Sequence, residues 1–332
     1  MSVLVLGGSC FIGRHFVLLL EQAGITPVCI NRGNLYWGDP RSPAAVGDRF
    51  RDRQAYCESI RRLISDTRSK WLGVVDFCAY EPRDITESLP VELFSIMPVY
   101  IFISTDSVYE VCDQIDQVAI VGETVTGSMN TIPCRDQYGW QKLECEKTLT
   151  SQPCRSVFLR LPDVLGEFDD TYRLWGLWLW VKSGLAMKIE NPTNQIVSFC
   201  YANDVAKILV DILTRFFNAA GAFNIACDED QWTMSKFVET VAKGYRVKSG
   251  GHRMRLLPSV DFRRAALDCS RARNELGFNP TPLVDVLRKM DDWFSTAEEQ
   301  FKTEYIECIR DLPKRVSRFY CDQENISPSD SD

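Results

Sequence analysis

Histidine is scarce in this chain, with 2 among 332 residues, and the 13 cysteines include no Cys-x-x-Cys pair. Zinc sites need thiolates and imidazoles recurring at short fixed spacings, so no metal is expected. Long apolar runs are missing as well. The most hydrophobic stretch, Leu174–Val181, is far shorter than the ~20 residues that cross a bilayer, so no membrane association is expected. Basic residues are not in excess: 38 Lys and Arg stand against 45 Asp and Glu, a formal net charge of −7. That balance argues against a dedicated nucleic-acid binder, whose phosphate contacts require a net basic face. Met1–Leu6 enters a strand pattern directly, with no basic n-region and no long apolar h-region. A cytoplasmic setting with reduced thiols is therefore the expectation.

What is present is ordinary globular material, 45% hydrophobic and 25% charged, enough for a sizeable core. The N-terminal half alternates β-branched runs (Val3–Leu6, Thr26–Asn31, Ala44–Val46, Leu72–Ala79, Val99–Thr105, Ser156–Leu161) with helical patterns over Phe11–Ala23, Gln54–Ser69, Arg83–Ile96 and Tyr138–Thr150. Strands alternating with helices predict an α/β fold, a Rossmann-type doubly wound parallel sheet. Beyond about Asp163 the pattern loosens into isolated helices: Tyr172–Ser183, Asp204–Phe217 capped by Asn203, Met234–Ala242 capped by Thr233, and a long one from Leu283 to about Leu312. Ala222–Ala226 is expected to return to the main sheet. The predicted organisation is a cofactor-binding domain over 1–165, a smaller α/β substrate-binding lobe over 166–312, and a disordered acidic tail over 313–332.

Gly7-Gly8-Ser9-Cys10-Phe11-Ile12-Gly13 follows the first strand and opens the first helix, the context in which backbone amides and a helix N-terminus receive a pyrophosphate. Cys10 occupies the middle position of a Gly-x-x-Gly-x-x-Gly pattern, where a Cβ crowds the ligand. The second strand ends Asn31-Arg32-Gly33, without the carboxylate that accepts the ribose 2′-hydroxyl of NAD and with a guanidinium suited to a 2′-phosphate. NADP(H) is therefore favoured over NAD(H). Asp48, in the turn after the third strand, is placed for an adenine contact.

Tyr138 and Lys142 lie one helical turn apart. An ammonium near a phenol favours the phenolate and brings an acid–base group of ordinary pKa ~10 toward a useful range. Taken with Gly7–Gly13, Phe102-Ile-Ser-Thr-Asp-Ser-Val-Tyr109 and Leu159-Arg-Leu-Pro-Asp-Val-Leu-Gly166, the pair resembles the extended short-chain dehydrogenase/reductases, the NAD-dependent epimerase/dehydratase family. Gly7–His15 with Asn31–Gly33 is more similar to an atypical branch that holds bacterial epimerase-like proteins and chloroplast stem-loop RNA-binding proteins.

The resemblance implies roles residue by residue. Tyr138 is the general acid or base, Lys142 holds the nicotinamide ribose and tunes Tyr138, and Thr105 hydrogen-bonds the reacting oxygen. Ala79 and Pro162 line the cofactor. Asp106, Asp163 and Arg173 are candidate substrate contacts. Where the family's dehydratases carry Thr-Asp-Glu this chain has Thr105-Asp106-Ser107, which disfavours elimination. Asp163 stands where nucleotide-sugar epimerases commonly carry an asparagine, and a carboxylate there repels a substrate diphosphate.

Reduction or epimerisation of a small polar, sugar-like molecule is the expected function. The alternative is a cofactor-binding regulatory or RNA-binding protein on the same fold. A homodimer is expected through the segments 83–96 and 138–150. Three further features read as largely structural. At least one of Trp175, Trp178 and Trp180 packs in the core, since their spacing does not put all three on one face. His15 is read as a helix-surface residue, and Arg253, Arg255, Arg263 and Arg264 as a basic cluster.

Overall fold

The computed structural model describes residues 1–34, 36–115, 120–188, 196–227, 232–242, 252–253 and 266–324. Two compact units emerge. The first comprises Met1–Phe168, Ser198–Glu229 and Ala265–Thr281, the second Asp169–Val197, Asp230–Arg264 and Pro282–Asp332. The chain thus leaves the first unit near residue 168 and re-enters it twice, the first time through the stretch holding Ala222, which returns to the main sheet.

The first unit is built on a seven-stranded sheet: β1 (Ser2–Leu6), β2 (Thr26–Asn31), β3 (Ala45–Val46), β4 (Trp71–Asp76), β5 (Val99–Thr105), β6 (Arg155–Leu161) and β7 (Gly221–Asn224). Their order is β7-β6-β5-β4-β1-β2-β3, and every pairing is parallel. Period-two alternation divides β1 between two cores: Val3 and Val5 pack with Phe16, Leu20 and Val205 on one face, Leu4 and Leu6 with Tyr56, Ile60 and Tyr100 on the other. Burial on both faces is why β1 and β5 read as continuous apolar runs. Helices α1 (Phe11–Gln22), α2 (Arg53–Asp66), α3 (Gln137–Thr150), α4 (Ala202–Thr214) and α5 (Ser270–Leu276) belong to this unit. The order reverses at β1/β4, so the C-terminal ends of these strands form the crevice where such sheets bind ligands.

Three local expectations are corrected. The segment 83–96 is not one helix but two short ones, Arg83–Thr86 and Leu93–Ile96, with Pro90 between them lacking an amide to continue a helix. One of the two helices on which the dimer expectation rested is therefore absent. Asn203 is not an N-cap: α4 starts at Ala202 without a side-chain cap, and Asp204 in its first turn accepts the Thr281 amide at 2.6 Å. The tail forms a helix, Lys314–Glu324, with Val316 and Tyr320 buried. Val316 and Tyr320, four residues apart, give this part of the tail an apolar stripe to bury, while the acidic end at 325–332 lies outside the described residues.

A polar network pins the C-terminal ends of β5 to β7. Arg160 on β6 makes a two-point ion pair with Glu146 on α3, Nη2 to Oε2 at 2.6 Å and Nε to Oε1 at 3.0 Å. Ser104 donates to Glu146 at 2.6 Å, Arg160 donates to the Tyr109 hydroxyl at 3.1 Å, and Tyr109 donates to Asn224 at 2.6 Å. Both charges are buried. Glu146→Gln leaves the guanidinium uncompensated and is expected to lower unfolding free energy by about 3 kcal/mol, because breaking one side of a buried pair leaves a desolvated charge. Urea denaturation with an unchanged midpoint would disprove this.

In the second unit, Arg173–Ser183 buries everything from Leu174 to Val181. Trp175 stacks on Phe294 with centroids 5.9 Å apart, and the Trp178 indole donates to Asp291 at 2.7 Å. Trp180 is buried too, so all three tryptophans are core residues. Thr233 does cap Met234–Ala242, accepting the Lys236 amide at 3.2 Å.

Candidate active site

The glycine turn needs its glycines for stated reasons. Gly7 and Gly8 have φ of +105° and +89°, which L side chains rarely adopt. A Cβ on Gly13 would lie 2.5 Å from the Gly8 Cα, so α1 rests directly on the turn. Cys10 takes extended backbone, φ −142°, just before α1. The left-handed position falls instead on Phe11, φ 47°, whose amide donates to the Phe168 carbonyl at 3.1 Å. The amides of Ile12 and Gly13 complete the first turn, where N–H groups have no intrahelical acceptor and favour an anion. Glycines that let the turn close on Phe77, Val5 and α1 leave the amides of a helix N-terminus at its mouth, a fit for a dinucleotide pyrophosphate.

At the end of β2, Asn31 closes its own turn by accepting the Gly33 amide at 2.8 Å. Arg32 is exposed and donates to the Tyr36 hydroxyl at 3.3 Å. The Asp48 carboxylate accepts the Phe50 and Arg51 amides at 3.0 and 3.3 Å, which orders the turn around it.

Thr105 ends β5, and its hydroxyl accepts the Ser107 amide at 3.2 Å, shaping the turn Asp106–Val108. Gly139 makes the next step possible. A Cβ there would sit 2.0 Å from the Ser107 carbonyl oxygen, so only glycine lets α3 approach this turn and bring Tyr138 to Thr105. Tyr138 thereby stands beside Thr105, near enough for the threonine hydroxyl to act on its phenol. The side chain is 42% exposed, yet desolvation of its hydroxyl, reinforced by Tyr80 and Asp106, pushes the phenol's pKa up, with Thr105 acting the other way. Asp106 is buried beside Thr105, 3.4 Å from its hydroxyl.

Lys142 is buried and donates to two backbone carbonyls, Ala79 at 2.8 Å and Ile103 at 2.9 Å. Its ammonium lies 5.0 Å from the Tyr80 ring centroid and 5.9 Å from that of Tyr138. Burial lowers its pKa to about 8. The expected pairing, in which Lys142 draws the Tyr138 proton off, is therefore not what the resting protein holds. The phenol stays protonated, and two of the lysine's three donors go to the backbone.

A buried chain behind the site had no signature in the sequence. Arg49 donates to Asp76 at 3.1 and 2.9 Å, and Tyr100 donates to it at 2.5 Å. Asp76 in turn accepts the Cys78 and Ala79 amides at 2.9 and 3.1 Å. Burial pushes the Asp76 carboxyl up, but Arg49 and these hydrogen bonds win, and its pKa is lowered. Ala79 is thereby fixed, with its carbonyl facing Lys142. The members lie 24 to 27 residues apart in sequence, beyond any local spacing.

His15 is not a surface residue. Its imidazole is 3.3 Å from Glu167 with side-chain exposure of 12%, and Tyr201 donates to the same carboxylate at 2.9 Å. Pro162 is buried after β6, and Asp163 begins a short strand paired with Phe199–Tyr201. Arg173 is exposed at the start of its helix in the second unit. Of the basic cluster, Arg255, Arg263 and Arg264 lie outside the described residues, as does the side chain of Arg253. Among the described residues no group of His, Cys, Asp and Glu side chains is arranged to hold a metal ion, and no helix is long and apolar enough to cross a membrane.

The sequence pattern of the NAD dependent epimerase/dehydratase family matches residues 3–226. A curated relative, a probable low-salt glycan biosynthesis reductase of Haloferax volcanii, is 29% identical over 166 residues, covering 48% of this chain and 54% of the relative, so the chain matches about half of that protein's length. Among solved structures, the UDP-glucose 4-epimerase of Thermotoga maritima with UDP-glucose is 19% identical with a TM-score of 0.69, over 90% of this chain and 100% of that one. The Bordetella bronchiseptica enzyme WbmG in complex with NAD is 16% identical with a TM-score of 0.68, over 89% and 94%.

Proposed function

The chain belongs to the NAD dependent epimerase/dehydratase family, and from that premise we propose that it is an NAD(P)-dependent reductase or epimerase acting on a small, polar, sugar-like substrate. The observation that carries this reading is the seating of α3 by Gly139 on the turn after Thr105, at the C-terminal end of β5, which sets Tyr138 there with the Lys142 ammonium buried behind it. Bound nicotinamide supplies the hydride chemistry. The chain's residues orient the substrate and move the proton: the Tyr138 hydroxyl exchanges a proton with the substrate oxygen, and Thr105 holds that oxygen. The third N–H of Lys142 would hold a ribose hydroxyl of the bound cofactor.

Reduction of a carbonyl needs a proton at the substrate oxygen, which the Tyr138 phenol can supply. Ser107, in place of a second carboxylate, works against dehydration, and Asp163 works against a diphosphate-bearing substrate. The Haloferax relative's description as a reductase agrees with this direction. Arg173 is assigned to an anionic group of the substrate. The regulatory or RNA-binding alternative rested on the resemblance of Gly7–His15 and Asn31–Gly33 to the atypical branch, with Cys10 and Asn31 leaving room for it.

The cofactor is proposed to be NADP(H), because β2 ends in Asn31 rather than a carboxylate. Calorimetric titration of the intact chain is expected to give tighter binding of NADPH than of NADH. Tighter NADH binding would remove the preference.

A further inference from the structure

The segment after β2 folds back over the start of α1. Trp37 is buried with φ of 53°, and Arg14 on α1 fastens it by donating to the carbonyls of Tyr36 and Trp37 at 3.2 and 3.1 Å. The Arg14 guanidinium lies 3.8 Å over the Phe168 ring. This fixed segment carries Asp39 and Arg41 to a concavity that they share with Gly8 and Ser9 of the glycine turn, Asn31 at the end of β2, and Asn34. Arg32, the cation next to β2 in sequence, is exposed and does not line it.

Arg41 is held by one edge. Its Nε donates to both Asp39 oxygens at 2.8 and 3.1 Å, Nη2 pairs with the same carboxylate, and its own amide donates to Asp39 Oδ1 at 3.1 Å. The other edge makes no hydrogen bond and is only loosely ion-paired. Nη1 is buried without a hydrogen-bond acceptor, and the Glu21 carboxylate is 3.6 Å away, beyond hydrogen-bond range. Arg41 keeps the Asp39 carboxyl below the usual carboxylate range, and Arg14 adds to that effect at 3.9 Å. The result is a preoriented guanidinium that lines a concavity bounded by the pyrophosphate turn and the end of β2, where a ribose 2′-substituent belongs. A fixed fork suits a phosphate better than a mobile surface side chain, because little freedom is lost on binding.

We infer that Arg41, positioned by Asp39, is the residue that recognises the 2′-phosphate of NADP(H), in place of Arg32. This rests on the dinucleotide site proposed above and names the side chain that sets its selectivity. The test is titration of NADPH and NADH into the parent chain and into Arg41→Ala, Arg32→Ala and Asp39→Asn. Loss of a charge-assisted contact should weaken NADPH binding to Arg41→Ala by about tenfold or more, with NADH binding little changed, which also shows that the variant is folded. Arg32→Ala should leave the NADPH/NADH ratio near that of the parent. An unchanged ratio in Arg41→Ala, or its collapse in Arg32→Ala alone, overturns the inference. Selective loss of NADH binding in Asp39→Asn also overturns it, by making the carboxylate the reader of a 2′-hydroxyl. If the parent prefers NADH while Arg41→Ala still selectively weakens NADPH, the proposed preference falls and the role of Arg41 stands.

Discussion

Tyr138→Phe is expected to lower turnover by ~10²–10⁴-fold, the usual contribution of a positioned general acid or base, while leaving cofactor affinity nearly intact. Phenylalanine keeps the ring, which is 6.2 Å from that of Tyr80, and deletes only the hydroxyl. The backbone there is set by the Asp136 cap on the Tyr138 amide at 3.0 Å and by the Gly139 approach to Ser107, neither of which needs the phenol. Binding and chemistry should therefore separate: single-turnover hydride transfer collapses while dinucleotide titration does not. Thr105→Ala is expected to lose less, since water replaces one hydrogen bond. Once a substrate is in hand, wild-type turnover by Tyr138→Phe would remove Tyr138 from the chemistry.

Some of this architecture can be read along the chain and some cannot, and the difference is one of range. β1, the glycine turn and α1 form one contiguous stretch, so alternation followed by helical periodicity is enough to place them. The same holds for Tyr138 and Lys142, whose spacing is that of one turn of α3. What Lys142 bonds to is a different matter: Ala79 and Ile103 are 63 and 39 residues away, brought in by the order of β4 and β5. The apolar spacing over 83–96 suggested one helix, but Pro90 divides it. His15 read as exposed because its partners, Glu167 and Tyr201, arrive from two later passes of the chain. Arg32 drew attention by adjacency to β2, whereas Arg41 reaches the cavity only because Arg14 and Trp37 fold the intervening segment back.

Lys142 is expected to make stability and activity respond to pH in opposite directions. Its folded pKa is about 8 against the ordinary 10.5, lowered by burial among Tyr80, Phe102 and Tyr138. Below about 8 both the folded and unfolded chains carry the proton, and the folded state bears the whole penalty of a buried charge. Between about 8 and 10.5 the unfolded chain binds a proton that the folded chain does not, so this residue's contribution to unfolding free energy rises with pH. The full change is about 3 kcal/mol. Turnover should do the reverse, falling as pH passes about 8, because the ammonium needed to hold the ribose hydroxyl is lost. Other groups titrate nearby, and Cys29, Cys78 and Cys145, each pushed up to about 12, pull stability the opposite way. The comparison that isolates the lysine is Lys142→Met, which retains the length and apolar stem of the side chain while deleting the charge. The gap in stability between variant and parent should be widest in the variant's favour at neutral pH and shrink toward 10.5. Orphaning the two carbonyl acceptors offsets part of that gain at every pH and does not alter its slope. In the same variant turnover and cofactor affinity should both drop. Urea titrations across this range showing a pH-independent gap would mean that Lys142 is not a buried ammonium in the folded protein.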